Sequence, residues 1–562
     1  MKHQTLARCL ATGLCLILAS GLHADSRKID IPHEKFTLDN GLRVIVHEDR
    51  KAPIVAVGVW YHVGSKDEPE GRTGFAHLFE HLMFEGSENF DDDISKPLEA
   101  VGATSMNGTT WMDRTNYFEN VPTPALELAL WLESDRMGHL LGAVTQEKLD
   151  QERGVVQNEK RQGDNQPYGR VFYRILEGVF PPGHPYRHDT IDSMEDLEAA
   201  SLEDAHQWFE HHYGAANTVL VLAGDIDVAT ARTLVTRYFG HIRSGPPLTR
   251  LREWVPVRQE NTHEIMYDRV PQVRSFRYWA APGWARQDRA YLQLAASVLG
   301  EGKNSRLYQA LVYERQLAVE VSVDLLPFEL ASLFSVDTTL AAGTSPDEVK
   351  ELIDQEMATL LAEGPRADEL QRAKTRIRAG VVRGLERVGG FSGKATTLAQ
   401  GELYDGNPAF FRTLLAWIDE ASAEDVRDAA RRWLSAGHYQ LDVLPFPEYA
   451  TTTSSVDRSK GLPTVGDLPD ISFPAVQRAR LGNGLNVVLA ERPAIPVVTL
   501  SLQFDAGYAA DAGRKPGTAS FTLDMMDVCT RSRSALEIDA EADALGAEIT
   551  TESDLDTSRV TL

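Results

Sequence analysis

Apolar and polar residues recur along this chain at two different periods. After the turn signal Asn40-Gly41, the stretch "RVIVHE" and then "IVAVGVW" alternate as half-buried strands do, and each copy of this pattern reads as a hairpin. A loop and a helix follow, "GFAHLFEHLMFEGS" at 74–87, whose apolar positions suit a buried face. Further on, "QVRSFRYWAAP" reads as a strand and "DRAYLQLAASVL" as a helix. The run "GKNSRLYQALVYERQLAVEVSVDL" is a helix followed by a strand, and long amphipathic helices fill 345–435. Strands and helices mixed within each block predict an α+β fold.

The pattern also repeats. "LDNGLRVIVHEDRKAPIV" at 38–55 recurs as "LGNGLNVVLAERPAIPVV" at 481–498, a shift of 443 residues without gaps. The same shift carries Gly64 to Gly507 and Gly74 to Gly517, and carries the helix at 74–87 onto "GTASFTLDMMDVC". The second copy runs only to "DLDTSRVTL", the counterpart of the region near "TWMDRTNYF". The sequence is therefore expected to be part of a longer protein of two halves. The segment 451–470 is rich in Ser, Thr, Gly and Pro and reads as a linker. The expected organisation is a block at 30–250, a second at 260–450, the linker, and the start of a third unit at 471–562.

Length and charge refine this picture. A chain of 562 residues exceeds what one core serves, so two or three domains are expected. The net charge of −25 argues against a nucleic-acid partner, which demands a Lys/Arg-rich surface. Residues 1–24 resemble a secretory signal: Lys2 and Arg8 precede the apolar "CLATGLCLILASGL", and small residues offer cleavage after Gly21 or Ala24. The apolar run is short for a transmembrane helix, so no stable membrane insertion is expected once the signal is removed. Cys9 and Cys15 would leave with it, and Cys529 alone cannot form an intramolecular disulfide. Export without disulfides points to a periplasmic protein.

The candidate chemistry lies in the helix at 74–87. His77 and His81, four apart, can offer two imidazole nitrogens to one ion, and Glu80 beside them can take a proton from an attacking water. The order His-x-x-Glu-His is the inverse of the commoner zinc-peptidase motif. A catalytic zinc takes three protein ligands. A third is available in "LDQERGVVQNEKRQ" at 149–162, where Glu152 and Glu159 lie seven apart on one helical face; one can bind metal while the other orients a ligand or substrate. In the second copy His77, Glu80 and His81 become Ser520, Leu523 and Asp524. The helix is retained there without the triplet, which assigns the triplet to chemistry and the apolar positions to the fold.

"GFAHLFEHLMFEGS" resembles the zinc motif of the pitrilysin/insulinase family, which includes the mitochondrial processing peptidases, and "ERGVVQNE" resembles that family's second segment. Here 77 residues separate His81 from Glu159, one more than the usual gap. The resemblance is strong over 36–250, weaker over 260–450, and resumes at 471–562. It implies repeated α/β-roll domains, each an antiparallel-rich sheet packed by helices, with two complete and a third partial. It implies one Zn2+ per chain on His77, His81 and Glu159, Glu80 as general base and Glu152 as its support. "GATSMNGTTWMDRTNYFENVP" resembles the strand beside the zinc helix, which places Asn107 and Gly108 against the substrate backbone, although the family more often has Ala after the Asn. In the family a far half supplies an Arg and a Tyr that help hold substrate, a region that the 562 residues do not reach. The expected activity is zinc-dependent endopeptidase action on peptides or unfolded protein segments. Two other readings compete with it: a non-catalytic, peptide-binding half that needs a partner half or subunit, and a metal-dependent hydrolase of a non-peptide substrate.

Overall fold

The structure, a computed structural model, describes residues 29–446, 476–491, 497–526, 528 and 530–562. The expected signal at 1–24, the linker at 451–470 and all three cysteines lie outside the described residues. Helices pack on antiparallel-rich sheets, as the α+β expectation requires. Among the described residues no helix is long and apolar enough to cross a membrane.

The first sheet contains β1 (Glu34–Thr37), β2 (Arg43–Glu48), β3 (Ile54–Tyr61), β4 (Thr104–Thr110), β5 (Thr115–Pro122) and β6 (Thr218–Gly224), in the order β1-β2-β6-β3-β5-β4. Asn40 and Gly41 make the turn from β1 to β2: Gly41 has φ +90°, and the Leu42 N–H donates to Oδ1 of Asn40 at 3.2 Å. The hairpin expected between β2 and β3 does not form, because β6 lies between them, parallel to β2 and antiparallel to β3. Every residue of β6, "TVLVLAG", is buried. A strand apolar on both faces has to sit inside a sheet rather than at its edge. With β6 inside, β4 is left at the edge, beside the site.

Helices cover both faces of this sheet. On the front lie Val55, Val57, Val59, Tyr61, Leu220 and Leu222, packed against α1 (Phe75–Leu82) and the helices Leu126–Gly138 and Val228–Phe239. Below the front rim runs α2 (Gln146–Asp164), capped by Thr145, whose hydroxyl accepts from the Lys148 N–H at 3.2 Å. Its buried positions Leu149, Glu152, Val156 and Lys160 form one stripe. The back face, with Ile45, Trp60, Val219 and Val221, packs against residues from much later in the chain, chiefly Ala395, Leu398 and Leu403.

The second sheet has β7 (Thr262–Asp268), β8 (Arg274–Ala281), β9 (Ala318–Leu326), β10 (Ser332–Leu340) and β11 (Tyr439–Pro445), in the order β7-β11-β8-β10-β9. Five helices follow β10, among them α3 (Ala367–Gly384) and α4 (Lys394–Asp405), and it is α4 that reaches the back of the first sheet. Beyond residue 475 come the pair β12 (Val476–Arg480) and β13 (Asn486–Ala490), and the sheet β14-β16-β15 (Ser501–Phe504, Ser558–Thr561, Thr550–Ser553). This region repeats the first in detail. Gly484 has φ +92°, Leu485 donates to Oδ1 of Asn483 at 3.1 Å, and α5 (Thr518–Asp524) stands where α1 stands in the first copy.

Candidate metal centre

The site begins with how α1 is seated. Phe75, Leu78, Phe79 and Leu82 enter the core, with the Phe79 ring 4.7 Å from Tyr213 and the Phe75 ring 5.5 Å from Trp208. The helix starts at Gly74, in the left-handed region at φ +88°. Its first N–H groups are satisfied by Glu68: Gly74 donates to one carboxylate oxygen at 3.1 Å and Ala76 to the other at 2.7 Å. Burial pushes the Glu68 carboxyl well above the usual range, against the pull of those two N–H groups.

This seating turns His77 and His81 toward α2. Their ring centroids lie 4.8 Å apart at 83°. An oxygen of Glu159 lies 3.8 Å from Nε2 of His77 and 3.6 Å from Nε2 of His81. One donor atom from each of the three falls within 4.8 Å of the others, a grouping that could hold a metal ion. Glu152, two turns earlier on α2 and buried where Glu159 is exposed, instead reaches Nδ1 of His81 at 3.2 Å. Seven residues of helix therefore give the two glutamates different partners.

The electrostatics differ between the two imidazoles. Burial, then the neighbouring His81, lowers the His77 pKa to about 3. For His81 burial also acts downward, but the hydrogen bond to Glu152 and the charges of Glu159 and Glu80 outweigh it, and its pKa is raised. Glu80 is buried and its pKa is raised, chiefly by that burial; a hydrogen bond with Thr110 and the charges of His81 and Arg114 act the other way. Among the described residues Nδ1 of His77 and Oε2 of Glu80 are buried without a hydrogen-bond partner.

The sheet edge completes the site. Asn107 lies opposite Phe118 and Gly108 opposite Tyr117, so Asn107 is on the back face and Gly108 on the face toward α1. Gly108 is buried, and a Cβ there would lie 2.8 Å from the Phe84 ring and 3.0 Å from Oε1 of Glu80. Asn107 is exposed and accepts from the Gly108 N–H at 2.9 Å. Ser105, at φ +52°, marks a bulge between Thr104 and Asn107, beyond which β4 pairs regularly on its inner side. Arg114 braces the strand by donating to the Thr109 carbonyl at 2.8 Å.

Three residues escape a reading of the motif alone: Glu68, Thr110 and Arg114. Only Glu68 left a trace in the sequence. Its counterpart under the 443-residue shift is Asp511, which accepts from the Ala519 N–H at 3.1 Å just as Glu68 accepts from Ala76. The acidic cap survives where the histidines do not, so it serves the helix rather than the reaction.

A metal-binding helix facing a glutamate helix, beside an open strand of a repeated α+β architecture, narrows the class of protein. Residues 43–181 match the family described as insulinase (peptidase family M16), and residues 199–377 match the peptidase M16 inactive domain. The chain belongs to the insulinase family, peptidase family M16. It is 30% identical over 436 residues to an uncharacterized zinc protease, ML0855, of Mycobacterium leprae, covering 74% of this chain and 92% of that one. It is 27% identical over 399 residues to the zinc protease PqqE of Helicobacter pylori, covering 69% and 87%. Its fold is similar to that of the periplasmic protease PqqL of Escherichia coli, with a TM-score of 0.63 at 15% identity, over 95% of this chain and 64% of that one.

Proposed function

We propose that this protein is a zinc-dependent endopeptidase of the periplasm, acting on peptides or unfolded segments. The observation that carries the reading is the meeting of His77, His81 and Glu159 beside a buried Glu80, at the edge strand of a sheet. Zinc fits this donor set: two imidazoles and one carboxylate converge, and Glu152 on Nδ1 of His81 leaves Nε2 of that ring toward Glu159. When bound, zinc makes water a nucleophile near neutral pH and polarises a carbonyl. One ion per chain is expected.

The chain's own residues supply the rest. β4 offers unpaired backbone groups along its outer side, where an extended peptide adds as a further strand, with Asn107 and Gly108 at the point of contact. Glu80 takes the proton of the attacking water as the new C–O bond forms. It gives that proton to the amine nitrogen as the C–N bond breaks. Burial raises the Glu80 pKa from its ordinary value, which suits a group that must both accept and return a proton. Glu152, bonded to Nδ1 of His81, fixes that ring with Nε2 toward Glu159. In this scheme 30–250 is the catalytic unit, 260–450 a second, non-catalytic one, and 471–562 the start of a third.

Export rests on the charge and hydropathy pattern of residues 1–24, and the similarity to a protein called a periplasmic protease is in keeping with it. A second reading, a half that needs a partner, draws on the match of 199–377 to an inactive-type domain and on the greater length of PqqL. Purified protein, assayed for zinc and for cleavage of quenched fluorescent peptides, separates the two. The first reading expects cleavage lost on chelation and restored by zinc. It also expects Glu80→Gln to retain zinc while losing about 10²- to 10⁴-fold in rate. Undiminished cleavage by Glu80→Gln would sink the mechanism, and zinc binding without cleavage until a partner half is added would favour the second reading.

A further inference from the structure

Between α3 and α4 the chain reads "ERVGGFSG", residues 386–393, and this loop leaves the second sheet to cross the back of the first. A Cβ on Gly389 would lie 2.5 Å from Cβ of Ala56 and from Oδ1 of Asn120, so the backbone there rests directly on β3 and β5. Gly390, at φ +87°, comes next, and a Cβ there would lie 3.6 Å from Cβ of Ser105, which places it over β4. The loop is braced. The Thr396 hydroxyl donates to the Gly390 carbonyl at 2.8 Å, Ala395 N–H to Val388 at 2.9 Å and Lys394 N–H to Arg387 at 3.0 Å. The Lys394 ammonium is buried against Asp49.

Despite this bracing, the residue at the tip, Phe391, is 68% exposed. Its ring meets Phe118 edge-on at 5.0 Å, and Phe118 is the register partner of Asn107. One exposed apolar side chain alone calls for no explanation. Here an aromatic ring is fixed on a built loop, on the back face, next to the strand edge where a peptide is expected to add. Side chains of an added strand alternate between the two faces of the sheet. One set faces α1 and Phe84; the other stands beside Asn107 and Ser105, on the side of Phe391. In a peptide antiparallel to β4, the part beside Ser105–Asn107 is C-terminal to the part beside Gly108–Thr110, where Glu80 lies.

We propose that Phe391, seated on the buried Phe118, forms a subsite for an apolar or aromatic substrate side chain on the leaving-amine side of the scissile bond. The proposal deepens the peptidase reading and depends on it for the peptide's place on β4.

The test uses the full chain loaded with zinc and carrying Glu80→Gln, so that binding is read without turnover. Short fluorescein-labelled Gly/Ser peptides carry Phe, Leu or Gly at one stepped position. The expected result is one position at which Phe binds about tenfold more tightly than Gly. That ratio falls toward unity in Phe391→Ala and is largely restored in Phe391→Leu. A ratio untouched by Phe391→Ala overturns the proposal, as does an equal weakening of the Phe and Gly peptides. Cleavage by protein with Glu80 intact then locates the scissile bond, and a preferred position on its N-terminal side overturns the assignment. Absence of cleavage with the Phe391-dependent ratio intact sinks the peptidase reading but supports the subsite.

Discussion

Glu68 and Glu80 are both buried glutamates at α1, and their surroundings separate their roles. Glu68 receives two backbone N–H groups and has an acidic counterpart in Asp511. Glu80 holds one unpartnered oxygen beside the metal-binding grouping, and its counterpart is Leu523. Glu68→Ala is therefore expected to act through stability, at about 1–3 kcal/mol for each N–H left buried and unpaired. Urea unfolding reads this directly, and Glu68→Gln, which keeps an acceptor, is expected to cost less. Equal midpoints for Glu68→Ala and the parent would refute the capping role. At this scale the sequence was informative because the motif is local: spacings of three and four on a helix fix which residues meet. The choice between Glu152 and Glu159 was not local. Both lie on one face of α2, and only the distances show one beside Nδ1 of His81 and the other beside both Nε2 atoms.

Among elements, β4 has the most to do in the least space. Gly108 leaves room for the Phe84 ring and Glu80 directly beneath it. Gly108→Val fills that room and has to displace one of them. Catalysis is more sensitive than packing to such a shift, since about 1 Å of misplacement can cost on the order of 10²-fold. A fall in kcat/KM of at least tenfold is expected, with a denaturation midpoint close to the parent's; a midpoint that collapses along with activity would assign Gly108 to the fold instead. The place of β4 beside the zinc helix was legible through the family resemblance, but the order of the strands behind it was not. That order depends on β6, a seven-residue apolar run about 100 residues beyond β5, whose insertion between β2 and β3 no local pattern announces. The internal repeat was legible, and it did more than the motif alone to separate structural from chemical positions on α1.

For the whole molecule, the two sheets share a buried polar junction. Asp113 accepts from the Glu329 N–H at 2.8 Å and from the Tyr186 hydroxyl, while His62 meets the Glu329 carboxylate at 2.7 Å. Burial raises Asp113 to about 7 and, within the second sheet, raises Asp337 to about 7 as well. A carboxyl raised in the folded state keeps its proton where the unfolded chain has already released it. Its contribution to stability is full below about pH 4 and is lost as pH climbs to 7. Asp337→Asn removes one such group. Its stability relative to the parent is expected to rise between pH 4 and 7, by roughly 4 kcal/mol at most, and then to level off. Thermal unfolding across that range checks it, and parallel curves for the two proteins would contradict it. None of this was readable from sequence, because neither aspartate lies in a motif and both owe their state to neighbours brought in by the fold.

The covering of the first sheet's back face by α4 also sets a schedule. The last strand of that sheet ends at Gly224, but the apolar layer over Ile45, Trp60 and Val221 runs as far as Leu415. The back face is therefore complete only when about 190 residues beyond the sheet's own last strand have folded onto it. A chain that ends short of α4 leaves one side of that sheet bare, an apolar face open to aggregation.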